Sequence, residues 1–165
     1  MPVIEDLAAF ADALPARGAL MGLDLGTRTI GLAVSDVGRS IATPLETVRR
    51  TKFTHDAETL LARAREREVT GFVLGLPRNM DGSEGRRCQS TRAFARNLAR
   101  LTDLPITFSD ERLTTVEAEN RLLAAGLSRK RRREVIDRMA AAIILQEALE
   151  RMRRTARAAK EGGRG

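Results

Sequence analysis

The chain has 165 residues, 42% of them apolar, with one cysteine, one histidine and no Trp or Tyr. That length supports one domain with a real core and leaves no room for a second catalytic domain. No apolar run approaches bilayer length, and Cys88 with His55 cannot supply a disulfide or a soft-ligand zinc centre. A formal charge of +7 and a pI near 11.0 point to a polyanionic partner, and the scarcity of aromatic residues argues for recognition through backbone and shape rather than base stacking. The opening MPVIEDLAAF carries acids where a targeting peptide would carry positive charge, so a cytosolic protein with no membrane partner is expected.

Residues 1–18 read as an N-terminal arm or short helix, because Ile4, Leu7, Ala8, Ala11 and Leu14 share one helical face. A single domain over residues 19–152 follows. Leu20 to Val34, LMGLDLGTRTIGLAV, is two apolar strands joined by a short polar link. Asp24 is its anomaly: at period two it shares a face with Gly22 and Gly26, while Met21, Leu23 and Leu25 point the other way. A carboxylate in an apolar strand is costly unless paired, hydrogen-bonded or metal-bound, and the small residues beside it leave space for a large group to approach.

Ile41 to Val48 predicts a third strand and hence an antiparallel meander. The rhythm then turns helical over His55–Glu68, with a buried strand at Gly71–Leu76, a helix at Glu84–Leu101 and a strand at Ile106–Ser109. Thr114 with Glu117 forms a capping box opening a helix to about Ala125, and a last helix runs from near Ser128 to about Arg154. The order predicts an α/β fold with a five-stranded mixed sheet, three antiparallel strands then two parallel ones, flanked by helices. Residues 153–165, basic and glycine-rich, are expected to fray as a flexible tail.

Three further stretches carry chemistry. Glu111, in DERLTT, lies just past a strand, at the end where ligands gather in such sheets, although a charged pair with Arg112 is the plainer reading. Asp137, in VIDRMAAAIILQ, shares a helical stripe with Ala140, Ala141 and Ile144, the face that should press on the sheet. Burial there needs a partner, either an arginine such as Arg138 or a cation shared with Asp24 and Glu111. The loop GLPRNMDGSEG, Gly75 to Gly85, follows a buried strand, and its glycines with Arg78, Asn79, Arg86 and Arg87 would make a phosphate cradle at a helix start. Finally RKRRR, Arg129 to Arg133, sits at the start of the last helix, where the dipole disfavours cations, so a nucleic-acid backbone competes there with a solvated charge run.

With these segments in hand, the sequence closely resembles the YqgF family, also called RuvX, of ribonuclease H-like proteins. Its members are described as Holliday junction resolvases or as nucleases maturing precursor small-subunit ribosomal RNA. The resemblance covers about Leu20 to Leu149 and rests on GLDLGTRTIGLAVSD, GLPRNMDGSEG, DERLTT and VIDRMAAAIILQ occurring in order. It implies a ribonuclease H-like fold with Asp24, Glu111 and Asp137 as the catalytic acidic triad. That triad is expected to bind two Mg²⁺ or Mn²⁺ ions, one activating water and the other steadying the leaving oxygen. Arg28, Arg78, Asn79, Arg86, Arg87, Arg112, Arg129, Lys130, Arg131 and Arg132 are the expected nucleic-acid contacts, although Arg78 stands where relatives are often apolar. The resemblance favours 5′-end maturation of pre-16S rRNA over cleavage of branched DNA at a Holliday junction, for which a homodimer rather than a monomer is expected. The stretch DLGTRT is also similar to the phosphate loop of actin-like ATPases, but those clamp nucleotide between two such domains and this chain holds one. A non-catalytic nucleic-acid-binding module is the remaining alternative.

Overall fold

The computed structural model describes residues 3–110 and 129–162, with the backbone alone over 129–134 and 159–162. In chain order its elements are α1 (Leu7–Ala13), β1 (Ala19–Leu25), β2 (Thr29–Ser35), β3 (Ala42–Arg49), α2 (Phe53–Glu66), β4 (Val69–Leu76), α3 (Arg86–Ala99), β5 (Ile106–Asp110) and α4 (Arg129–Gly162). The five strands form one sheet in the order β3-β2-β1-β4-β5. The hairpins β1–β2 and β2–β3 are antiparallel, whereas β1–β4 and β4–β5 are parallel. The mixed α/β sheet expected from the element order is therefore present. Its consequence for function is that β1, β4 and β5 all end at one edge, which gathers the segments after Asp24, Leu76 and Asp110.

Strand alternation divides the core. Met21, Leu23 and Leu25 face α2 and α3, packing with Leu60, Ala64, Phe94 and Leu98. Leu20, Ala33 and Val73 face the other layer, where Phe10 of α1 meets Ala141, Ile144, Leu145 and Ala148 of α4. Those four α4 residues recur at helical spacing, so one stripe of a long helix is buried. Each fully buried leucine adds roughly 2 kcal/mol of hydrophobic stabilisation. The N-terminal arm seals the β5 edge: the Ile4 N–H donates to the Ile106 carbonyl at 2.7 Å, and Asp6 caps α1 through the Ala9 N–H.

One expectation fails at the C-terminus. The last helix does not stop near Arg154, and residues expected to fray continue it to Gly162. The segment TARAAKE is built of strong helix formers with no glycine before position 162, so propensity carries the helix past its packed stripe. The helix expected at Thr114–Ala125 lies outside the described residues. Among the described residues, no helix is long and apolar enough to cross a membrane.

Candidate active site at the carboxyl ends of the strands

Asp24 is 6% exposed near the end of β1, opposite Gly31 of β2. On its other side, Leu23 stands opposite Leu74, so the next residues along are Asp24 and Gly75, and Gly75 in turn stands opposite Ser109 of β5. One row across the sheet thus reads Gly31, Asp24, Gly75, Ser109, with the carboxylate between two residues that lack side chains. Alternation turns this row toward the α4 layer.

The space beside Asp24 is filled by the protein itself. A Cβ at Gly22 would sit 2.8 Å from the Ala141 carbonyl oxygen, and one at Gly31 would sit 1.9 Å from that of Asp137. Gly22 and Gly31 therefore admit the backbone of α4, so the large group that approaches the strand there is the protein's own helix, whereas a Cβ at Gly26 would meet the Thr29 carbonyl oxygen at 3.0 Å. The helix can approach the sheet this closely only where the strands carry no side chain. The approach brings Asp137 beside the residue opposite Asp24. The Thr29 hydroxyl donates to Asp137 Oδ2, so a threonine supports this carboxylate. Thr29 was not singled out from the sequence. Its only signal is that it lies two residues before Gly31, on the same strand face.

At the end of β5, Thr107 and Ser109 face the α4 layer, 0% and 3% exposed, and among the described residues neither hydroxyl has a hydrogen-bond partner. Leaving a buried hydroxyl unsatisfied costs about 1–3 kcal/mol, which marks this row as polar beyond the needs of packing. Asp110 closes the strand. Arg78, just past β4, reaches Asp110 at 3.8 Å and Glu84 at 3.5 Å, while its buried Nε makes no hydrogen bond among the described residues. Glu84 is held mainly by Arg92, at 2.7 and 2.9 Å; this hydrogen-bonded pairing keeps the Glu84 carboxyl below its ordinary range.

The glycine-bearing loop is more closed than a cradle requires. Its Gly82 N–H donates to the Asn79 carbonyl, the Asn79 N–H to the Ser83 carbonyl, and Asn79 Nδ2 to Ser83 Oγ. Gly82 takes φ +87°, which only glycine adopts readily. The N–H groups of Arg78, Asn79, Gly82 and Ser83 are thus spent within the loop. What remains for an anion is the start of α3, where Gly85 gives no side-chain cap, the first turn holds no acid, and Arg86 and Arg87 are exposed. Arg28 is exposed on the β1–β2 link, which Arg50 braces by donating to the Gly26 carbonyl at 2.6 Å. Glu111 and Arg112 lie outside the described residues, as do the side chains of Arg129, Lys130, Arg131 and Arg132. A cleft of about 580 Å³ lined by Leu61, Arg65, Arg100 and Leu104 opens by Val69, at the opposite end of β4 from these groups.

Residues 18–151 match the RuvX family model, described as Holliday junction resolvase. The chain belongs to the RuvX family. A relative of this RuvX chain from Ruegeria pomeroyi, named "Putative pre-16S rRNA nuclease", is 66% identical over 151 residues, covering 92% of this chain and 98% of its own. A protein of the same name from Paracoccus denitrificans is 64% identical over 151 residues, 92% of this chain and 96% of its own. Among solved structures, Thermus thermophilus RuvC in complex with a Holliday junction substrate aligns with a TM-score of 0.51 at 15% identity, over 84% of this chain and 97% of that one. The shared architecture is the ribonuclease H-like fold expected above. RuvX is a nuclease family, and its chemistry is hydrolysis of phosphodiester bonds.

Proposed function

We propose that this chain is a metal-dependent endonuclease that matures the 5′ end of pre-16S rRNA, with Asp24, Glu111 and Asp137 as its acidic triad. The observation that carries the reading is the seating of α4 on Gly31, which brings Asp137 to the strand position opposite a buried Asp24. The donor chemistry fits a hard cation: the two carboxylates and the unpartnered Ser109 hydroxyl offer oxygen only, as Mg²⁺ or Mn²⁺ prefers. The third carboxylate is assigned to Glu111, which follows Asp110 in sequence and stands in the DERLTT motif that the family resemblance rests on.

A divalent ion bound there supplies Lewis-acid stabilisation and a water of lowered pKa. The protein's own groups do the rest. β1 fixes the backbone of Asp24, and the Thr29 hydroxyl orients the Asp137 carboxylate before binding. Arg28, Arg86 and Arg87 neutralise phosphates flanking the cut, and the start of α3 offers backbone N–H groups to one of them.

The relatives' name favours the ribosomal precursor, and the family description favours a DNA junction as the second reading. Cleavage of a pre-16S 5′ fragment and of a four-way DNA junction, each with Mg²⁺ or Mn²⁺, separates them. The Asp24→Asn chain should lose cleavage by at least about 100-fold on the true substrate. Undiminished cleavage removes Asp24 from the mechanism, and faster cutting of the junction than of the RNA replaces the first reading by the second. Mapping of 16S 5′ ends in depleted cells should find the unprocessed extension.

A further inference from the structure

The chain's basicity is not spread over its surface. Residues 151–165 hold six Lys and Arg against one acid, a net +5 of the formal +7, so the first 150 residues are close to neutral. The structure turns residues 151–162 into the end of α4. Packing does not explain it. From Arg153 to Ala158 every residue is exposed, and the apolar stripe of α4 ends at Leu149 and Met152. A helix that continues with every side chain exposed gains little from the core. Nor does the helix dipole account for these cations, because its effect fades within the last turn, and Arg153 and Arg154 stand two turns before Gly162.

The cations are also ordered. Arg153 and Arg157 are four residues apart, with Lys160 three further on, which is the spacing of one helical stripe, and Arg154 lies beside it. The stripe is rooted on the sheet: Arg153 Nη2 donates to the Ser40 carbonyl at 2.9 Å, and Gln146, seven residues earlier, donates to the same carbonyl and accepts from the Ala42 N–H. The β2–β3 turn thus fixes the direction in which the basic line leaves the body. At 1.5 Å per residue, Arg153 and Arg157 lie about 24 and 30 Å along the helix axis from Asp137.

We propose that this stripe is a second phosphate-backbone contact, a handle that grips duplex nucleic acid about seven to nine base pairs from the scissile phosphate at 3.4 Å per pair. It rests on the nuclease reading above for the position of the cut. Its partner is a double helix recognised by charge and spacing, since the stripe presents no aromatic or apolar side chain that could read or wedge bases. No apolar face accompanies the cations either, which an anionic lipid surface would require.

The test uses the full chain with Arg153, Arg154 and Arg157 changed to Gln, which keeps helix propensity. Binding of a 20-base-pair duplex is measured without divalent ions between 50 and 200 mM salt. Losing three phosphate contacts flattens the log–log salt slope by about 2.7, so the added salt should weaken the wild type about 40-fold more than the variant. Separately, Ala158→Cys carrying a hydroxyl-radical probe should cut the duplex in a window about seven to nine pairs from the enzyme's own cleavage site; Cys88 is buried and stays unlabelled. An unchanged salt slope, or probe cuts scattered evenly along the duplex, overturns the handle and leaves an acidic protein surface as its partner, while the nuclease reading stands. A wild type that binds no duplex likewise overturns the handle, and the nuclease reading then stands or falls by the cleavage assay above.

Discussion

The carbonyl of Asp137 rests on Gly31, the residue opposite Asp24 in the β1–β2 ladder, so closely that a Cβ there would stand 1.9 Å from its oxygen. Gly31→Ala therefore cannot be absorbed by a side-chain shift, because both partners are backbone. The helix must lift, and the expected cost is at least about 3 kcal/mol, at the upper end for overpacking. For a chain of this size that lowers the melting temperature by roughly 6–12 °C. Cleavage should fall as well, since lifting α4 carries Asp137 away from Asp24. A variant that melts normally and cleaves normally would show that the contact is not maintained in solution.

Thr29→Val keeps the shape of the side chain and deletes the hydroxyl that donates to Asp137 Oδ2. The stability loss should be near 1 kcal/mol, as for one hydrogen bond. The functional loss should be larger: a carboxylate deprived of its orienting partner typically binds its ion about 10–100-fold more weakly. Calorimetric titration with Mn²⁺, free of any cleavage assay, reads this directly. Equal affinity in the two proteins would leave Thr29 a purely structural contact.

Glu84 gives a pH dependence of known sign. Its carboxyl is held below the ordinary value of 4.5, first by the hydrogen bonds from Arg92. A folded-state pKa below the unfolded one means that the ionised form stabilises the fold above the unfolded pKa, and that this stability is lost as pH falls through the folded value. The melting temperature of the wild type should therefore exceed that of Glu84→Gln near neutrality. The gap should close as the pH is taken from 5 to below 4, and a gap that widens on acidification would reverse the assignment.

Arg78 tests the loop after β4. Its contacts to Glu84 and Asp110, at 3.5 and 3.8 Å, are long, and its side chain is one-third exposed, so they add little stability. Arg78→Met should shift melting by no more than about 4 °C. If the guanidinium turns from these acids to a phosphate, the same change should weaken duplex binding uniformly across sequences and reduce the salt slope by about 1. Identical slopes would confine Arg78 to bracing the loop against β5.

The sequence by itself determined the architecture and the candidates. The period-two run at Leu20–Leu25, the apolar run at Gly71–Leu76 and the helical stripe around Ala140–Ile144 are local patterns, and local patterns fix element type. An acid in an apolar strand and an acid on an apolar helical stripe stood out for the same reason, since each violates the pattern around it. The use made of Gly22 and Gly31 emerges only from the packing of α4. Whether a bare strand face receives a substrate or a helix depends on which distant segment packs there, and nothing within Gly22–Gly31 encodes the arrival of Asp137 more than a hundred residues later. The Thr29–Asp137 hydrogen bond and the pairing of Arg78 with Asp110 were hidden for the same reason, because each joins segments that meet only once the sheet has formed. The C-terminal cations show the converse. Their number was plain from composition, but only a helix rooted on the Ser40 carbonyl turns a basic tail into a line with a direction and a length.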